Sequence, residues 1–347
     1  MIPIAKPFLG EQEAAAARRV ILSGWTTQGP EVAAFEREFA ECVGAPHPCA
    51  VSSCTMALHL ALLAAGVGPG AEVITVSHSY IATANSVRYC GAIPVFVDIR
   101  ADQFNIDPDL IEDAACAIGS EILWEGKWER VGKPHGDVAC FSFHPRKVLS
   151  TGDGGMITTR HKEWDARFRL LRQHGMAIPD TVRHASNTVI FESYPEIGFN
   201  YRMTDIQAAV GREQLKRLPE FLRRRREIAA EYRVLLDDMT ELGLPNEPDW
   251  ARSNWQSFCV RLPQGVPQRQ VMQTLLDRGI ATRRGIMCAH REPAYQHQEW
   301  RSAGKLSESE RAQEECILLP IHHQLTKEEQ ALIASTLREV ITAECSV

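Results

Sequence analysis

Between Cys49 and Asp98 short apolar runs alternate with helical stretches, and this alternation constrains the fold more than any other feature of the 347-residue chain. Cys49-Ala50-Val51-Ser52 reads as a strand, Ser53-Cys54-Thr55 as a polar turn and residues 56–65 as a helix. Beyond Val67-Gly68-Pro69-Gly70 the pattern predicts a strand over Glu72–Val76, a helix over 81–89 and a strand over 94–98. Strand–helix–strand order implies an α/β fold with a mostly parallel sheet covered by helices on both faces. In such sheets ligands lie at the carboxyl ends of the strands.

The stretch VACFSFHPRKVLSTGDGG (residues 138–155) carries the chemistry. It predicts a buried strand, a His144-Pro145 turn, a single lysine at Lys147 and a glycine-rich loop. A lysine desolvated at the mouth of a sheet can lose its proton and attack a carbonyl. Glycines beside it let backbone approach a bulky ligand. Most loop lysines are simply solvated, so the remaining residues must decide. The turn Ser53-Cys54-Thr55 follows a strand and opens a helix, where free N–H groups and the helix dipole favour an anion. An N-cap explains one hydroxyl, not those of Ser52, Ser53 and Thr55 together. Ile111-Glu112-Asp113 reads either as a helix first turn or as a strand end that turns a carboxylate into the site.

The rest of the chain narrows the class. Helices are expected over Glu11–Ser23 and Pro30–Val43, ended by Gly24 and Gly44. Between them, Trp25 is a packing lid or a ligand contact. Thr204-Asp205-Ile206-Gln207 is a capping box that opens a long connector helix, or a pair broken at Pro219, running to about residue 237. A smaller α/β piece follows, so residues 1–222 are expected to form the large domain and 223–347 the small one. A net charge of −6 argues against a nucleic-acid or anionic-membrane binder. The basic run Arg223–Arg226 is expected to be a solvated or subunit-facing helix surface. Ten scattered cysteines without a CxxC pair read as reduced thiols. His322-His323 has no third ligand nearby to hold a metal. There is no GxGxxG or GxxxxGK loop, no leader-like N-terminus and no membrane-length apolar run, so the expectation is a cytoplasmic protein.

A reactive lysine, an anion cup and a strand-end acid together fit pyridoxal phosphate. Tyr80, just past the strand Glu72–Val76, is placed to cover the ring. With these motifs, and with SGWTTQGPEVAAFEREFA, GFNYRMTDIQAAVGREQL and ILLPIHHQLT, nearly the whole chain resembles the DegT/DnrJ/EryC1/StrS family of sugar aminotransferases, fold-type I pyridoxal-phosphate enzymes. The resemblance implies that Lys147 is the Schiff-base lysine and that Ser142 with Ser53-Cys54-Thr55 binds the phosphate. By the same likeness Asp113 pairs with the ring nitrogen and Tyr80 stacks on the ring. Asn200 reaches the neighbouring subunit's cofactor in a homodimer, and Trp25, Thr26 and Gln28 border the sugar pocket. The implied reaction moves an amino group from glutamate to a nucleotide-linked 4-keto-6-deoxy hexose, with the cofactor passing through pyridoxamine phosphate.

Three departures stand out. Cys54 replaces a frequent glycine, which is harmless if only its backbone is used. Cys116 stands where a glutamine or histidine commonly contacts the cofactor's phenolic oxygen. In the family several dozen residues, including a strand and a helix, separate the counterparts of Asn105–Pro108 and Glu112-Asp113, whereas here Leu110 runs straight into Ile111. Loss of a sheet strand leaves unpaired backbone groups, so the expectation is a gap, with the Leu110 and Ile111 Cα atoms much farther apart than about 3.8 Å. The competing readings are an amino-cyclitol or other keto-substrate aminotransferase, a dehydratase using the aminated cofactor, and a regulatory protein that kept the fold. The dehydratases replace the lysine with histidine, so Lys147 counts against that one. A regulator would need neither lysine, acid nor cup.

Overall fold

The computed structural model describes residues 1–100 and 111–345. Leu110 lies outside them, and with it the expected gap to Ile111. The chain divides into two compact units: residues 7–68 with 108–219, and residues 1–6, 69–107 and 220–347.

In the first of these units, four strands form a sheet in the order His47–Val51, Gly155–Thr159, Val138–Ser142, Ile111–Asp113. The expected parallel pairing holds for Ile111–Asp113 against Val138–Ser142. Gly155–Thr159 is antiparallel to both of its neighbours. The reason is the link: residues 143–154 form a loop, and without a crossover helix the chain returns antiparallel. Both faces of the sheet are covered. Val138, Cys140 and Ile157 pack with Leu58, Ala61, Phe168 and Leu171 from the helices Cys54–Ala64 and Lys162–Leu171. Phe141 and, just past the strand, Phe143 meet Phe39 from the helix Pro30–Val43 in edge-to-face pairs, with ring centres 5.1 and 5.6 Å apart. Such pairs add about 0.5–1.5 kcal/mol each beyond burial.

The other unit holds an antiparallel sheet of Phe258–Arg261, Cys316–Leu319 and Arg283–Arg284. It also holds a parallel sheet in which Ile93–Val97 lies between Glu72–Val76 and Arg301–Ser302. Its main core gathers Tyr232, Phe258, Val260, Leu275, Ile317 and Leu337. The long helix is continuous from Asp205 to Leu236 across Pro219, so the alternative of a broken pair does not hold.

The expectation of a solvated Arg223–Arg226 surface needs correction. Arg223 pairs with Glu227. Arg225 is buried, donates to the Trp255 carbonyl at 2.8 Å, and is pushed down to about 10 by burial. Arg224 and Arg226 donate to the carbonyls of Leu325 and Ser253 at 2.6 and 3.1 Å. Loop carbonyls need donors where water is excluded, and three of the four arginines supply them.

Candidate active site

The register of the sheet assembles the site. Val51 and Ser142 both pair with Gly155, and Asp113 pairs with Cys140 two residues deeper. His47–Val51, Val138–Ser142 and Ile111–Asp113 run in one direction, so Ser53, Ser142 and Asp113 gather at a single carboxyl edge. Asp113 is thus a strand-end acid, not a helix first turn, and its carboxylate is exposed.

The cup is built on backbone. The helix Cys54–Ala64 starts after Ser53, whose Oγ accepts from the Met56 N–H at 3.3 Å. That cap leaves the N–H groups of Cys54 and Thr55 as free donors at the helix start. A Cβ on Gly155 would stand 2.6 Å from the Ser53 carbonyl carbon and 2.7 Å from the Cys54 nitrogen. Close approach here is therefore between two protein backbones, whereas the sequence suggested glycine room for a ligand. The Cys54 side chain turns away into the core, its Sγ donating to the Cys140 carbonyl at 3.7 Å. Burial pushes its thiol well up, Asp113 and Cys140 push the same way, and Lys147 opposes them.

Lys147 is half-buried one turn past the strand Val138–Ser142, its N–H bonded to the His144 carbonyl at 2.8 Å. Its Nζ donates to Cys116 Sγ at 2.8 Å. The loop behind it is fastened at several points. Phe143 N–H donates to Gly154 O, Thr151 N–H to Phe143 O, and Gln207 Nε2 to Asp153 O at 2.8 Å. Burial pushes His144 down, with Arg146 and Lys147 acting in the same direction against Asp153.

Asn200 is exposed, in a segment held at both ends. Tyr201 O accepts from the Ser52 N–H at 2.8 Å, Tyr201 OH lies 3.1 Å from His59 Nδ1, and Phe199 stacks on Tyr201 at 4.7 Å. In the loop before Pro30, Trp25 Nε1 donates to Gln28 O at 3.3 Å and the indole meets His184 edge-on at 5.2 Å. Thr26 in the same loop is exposed and Gln28 half-buried. Tyr80 belongs to the other unit and is 55% exposed. Among the described residues no group of three or more His, Cys, Asp or Glu side chains could hold a metal ion.

Sequence reasoning missed Asp205 as a site residue. Its carboxylate accepts from the N–H groups of Gly29 (2.7 Å), Val32 (3.0 Å) and Glu31 (3.1 Å), strapping the Trp25 loop to the long helix. Burial pushes its pKa up against those three bonds. The capping box itself is present, with Thr204 and Gln207 exchanging bonds at 3.0 and 3.2 Å. Nothing local in it points to partners more than 170 residues away.

The sequence model of the DegT/DnrJ/EryC1/StrS aminotransferase family matches residues 7–112 and 109–338. The two stretches meet where Leu110 runs into Ile111. The spore coat polysaccharide biosynthesis protein SpsC of Bacillus subtilis is 31% identical over 377 aligned positions, covering 98% of this chain and 97% of its own. That span exceeds the 347 residues here, so SpsC carries residues that this chain lacks. Among solved structures, the aminotransferase TlmJ of Streptoalloteichus hindustanus is 33% identical, with a TM-score of 0.88 over 99% of both chains. DesV of S. venezuelae, solved in complex with a ketimine intermediate, is 30% identical, with a TM-score of 0.85 over 98% of both chains.

Proposed function

We propose, because this chain belongs to the DegT/DnrJ/EryC1/StrS aminotransferase family, that it moves the amino group of glutamate onto a nucleotide-linked 4-keto-6-deoxy hexose with pyridoxal phosphate as cofactor. The observation that carries this reading is the gathering of Lys147, Asp113, Ser142 and the Ser53-Cys54-Thr55 helix start at one carboxyl edge. The residues fit the cofactor: free backbone donors and hydroxyls for a phosphate, an amine for an aldehyde and an acid for a ring nitrogen. When bound, pyridoxal phosphate supplies the carbonyl that captures amines and a ring that draws electrons from the reacting carbon.

The chain's own residues do the rest. The N–H groups of Cys54 and Thr55, with the hydroxyls of Ser53, Thr55 and Ser142, hold the phosphate. The Asp113 carboxylate keeps a proton on the ring nitrogen, and Tyr80 covers the ring. Lys147 Nζ takes the proton from the donor's Cα in the first half-reaction and returns one to the sugar carbon in the second. Cys116, whose Sγ lies beside that Nζ, would line the phenolic side of the bound cofactor in place of the family's usual glutamine or histidine. Trp25, Thr26 and Gln28 border the sugar, and Asn200 reaches the phosphate bound by the other protomer of a homodimer. The large domain is residues 1–222, the small one 223–347, and the enzyme works in the cytoplasm.

The test is spectroscopic. Purified protein is expected to show a visible Schiff-base band that is lost with glutamate and regained with a keto-sugar nucleotide. Lys147→Ala should lower turnover by about 10³-fold or more. A colourless protein that binds no pyridoxal phosphate would overturn the reading. A screen over nucleotide keto-sugars then identifies the acceptor.

A further inference from the structure

Cys116 and Lys147 make a contact that the transamination chemistry does not require. Lys147 Nζ donates to Cys116 Sγ at 2.8 Å. Cys116 is exposed, whereas Cys42, Cys49, Cys54, Cys90, Cys140, Cys259, Cys288 and Cys316 are buried or half-buried. Backbone bonds hold both partners. Ala115 N–H donates to Asp113 Oδ1 at 3.2 Å and Ala117 N–H to Ala114 O at 2.9 Å, while Lys147 N–H donates to His144 O at 2.8 Å. An accessible sulfur beside a cation is the setting in which cysteine oxidation is selective.

We infer that Cys116 and Lys147 are an oxidation-sensitive pair, which peroxide converts into a covalent sulfur–nitrogen link that withdraws the amine from use. In the first step the Cys116 thiolate attacks one oxygen of hydrogen peroxide. The O–O bond breaks, the departing hydroxide takes a proton from the Lys147 ammonium to become water, and the sulfur is oxidised to a sulfenic acid while the peroxide is reduced. In the second step the Lys147 Nζ lone pair attacks that sulfur. The S–O bond breaks, the oxygen leaves as water with a proton from the amine, and the S–N bond forms. The net change in the chain is the loss of two hydrogens, with peroxide reduced to two waters. Two equivalents of an external thiol reverse it.

Cys54 is the nearby thiol that could compete for the sulfenic acid. It is buried with its Sγ turned to the Cys140 carbonyl, and burial holds it in the unreactive thiol form. Lys147 is therefore the partner. The link itself stands apart from the function proposed above, but its consequence rests on that function. A linked Lys147 cannot take up pyridoxal phosphate, and an enzyme already carrying the cofactor on Lys147 cannot form the link.

The experiment uses the full chain, reduced and freed of cofactor, treated with a small excess of hydrogen peroxide. The intact mass should fall by two hydrogens, and digestion should yield one peptide pair joined between Cys116 and Lys147. Dithiothreitol should restore both the mass and the capacity for pyridoxal phosphate. Preloading with pyridoxal phosphate should suppress the link, leaving oxygen added to Cys116. Cys116→Ser should neither lose mass nor change its own cofactor uptake on treatment. Oxygen added to Cys116 in the cofactor-free chain without a link, a Cys54–Cys116 disulfide, or an unchanged mass would each overturn the inference. A link that forms in a chain unable to bind pyridoxal phosphate would leave the pair standing and sink the aminotransferase function instead.

Discussion

At Gly155 a methyl group would stand 2.6–2.7 Å from three backbone atoms of Ser53 and Cys54, and backbone, unlike a flexible side chain, cannot turn aside. Gly155→Ala must therefore push the strand Gly155–Thr159 or the helix start out of place. Overpacking of this kind costs about 1–3 kcal/mol, and it falls on the peptide whose N–H groups would hold the phosphate. The expected result is a lowered melting temperature and roughly tenfold weaker pyridoxal phosphate binding, a loss of about 1.4 kcal/mol, read by absorbance titration. Unchanged affinity in a destabilised variant would separate the cup from the phosphate. The glycine-rich loop was visible in the sequence. Which atoms approach which glycine was not, because that depends on a pairing across about a hundred residues.

Among the elements, the helix Pro30–Val43 is fixed to the sheet by a charge that only the folded chain reveals. Glu36 is 4% exposed and accepts from Arg172 Nη1 at 2.6 Å, Arg169 Nη1 at 2.8 Å and the Ala50 N–H at 2.9 Å. Burial pushes its pKa up, but Arg172, Arg169 and the Ala50 N–H outweigh this and hold it below the ordinary glutamate range. A depressed native pKa means that the stabilisation is complete above the unfolded value near about 4.3 and is lost as pH falls through the native value. Glu36→Gln should cost about 3–5 kcal/mol at neutral pH, since it leaves the buried Arg172 guanidinium without its counter-charge, while Arg169 keeps Asp165. It should also flatten the decline of melting temperature with acidification below about pH 4. A parallel decline in both proteins would refute the assignment. The periodicity of Pro30–Val43 was legible to the residue, as was that of Glu11–Ser23, because a 3.6-residue repeat is local information. The reversed direction of Gly155–Thr159, the carbonyl-capping role of Arg224–Arg226 and the Asp205 strap were not legible. Each depends on partners that only tertiary packing brings near.

For the whole molecule, the question is whether one chain can complete a site. Just before Asn200, Val189, Phe191 and Ile197 are 85%, 88% and 94% exposed, a stretch of apolar surface that a lone protomer has no reason to present to water. The exposed Asn200 follows on a segment fastened to Ser52, His59 and Gln173. Such an arrangement suits a residue delivered across a two-fold interface, where each surface meets its own copy. Two defective chains make the test. Lys147→Ala lacks the amine and keeps Asn200, whereas Asn200→Ala keeps the amine and lacks the amide. If Asn200 serves the partner's site, a hybrid dimer has one site with both defects and one with neither. Each parent should be impaired alone, and the purified hybrid, carrying two different affinity tags, should recover about half of the wild-type turnover per dimer. If Asn200 serves its own chain, every site in the hybrid carries one defect and no activity is gained over the parents. Sedimentation of the unmodified chain as a monomer at assay concentration would reject the shared site before any hybrid is made.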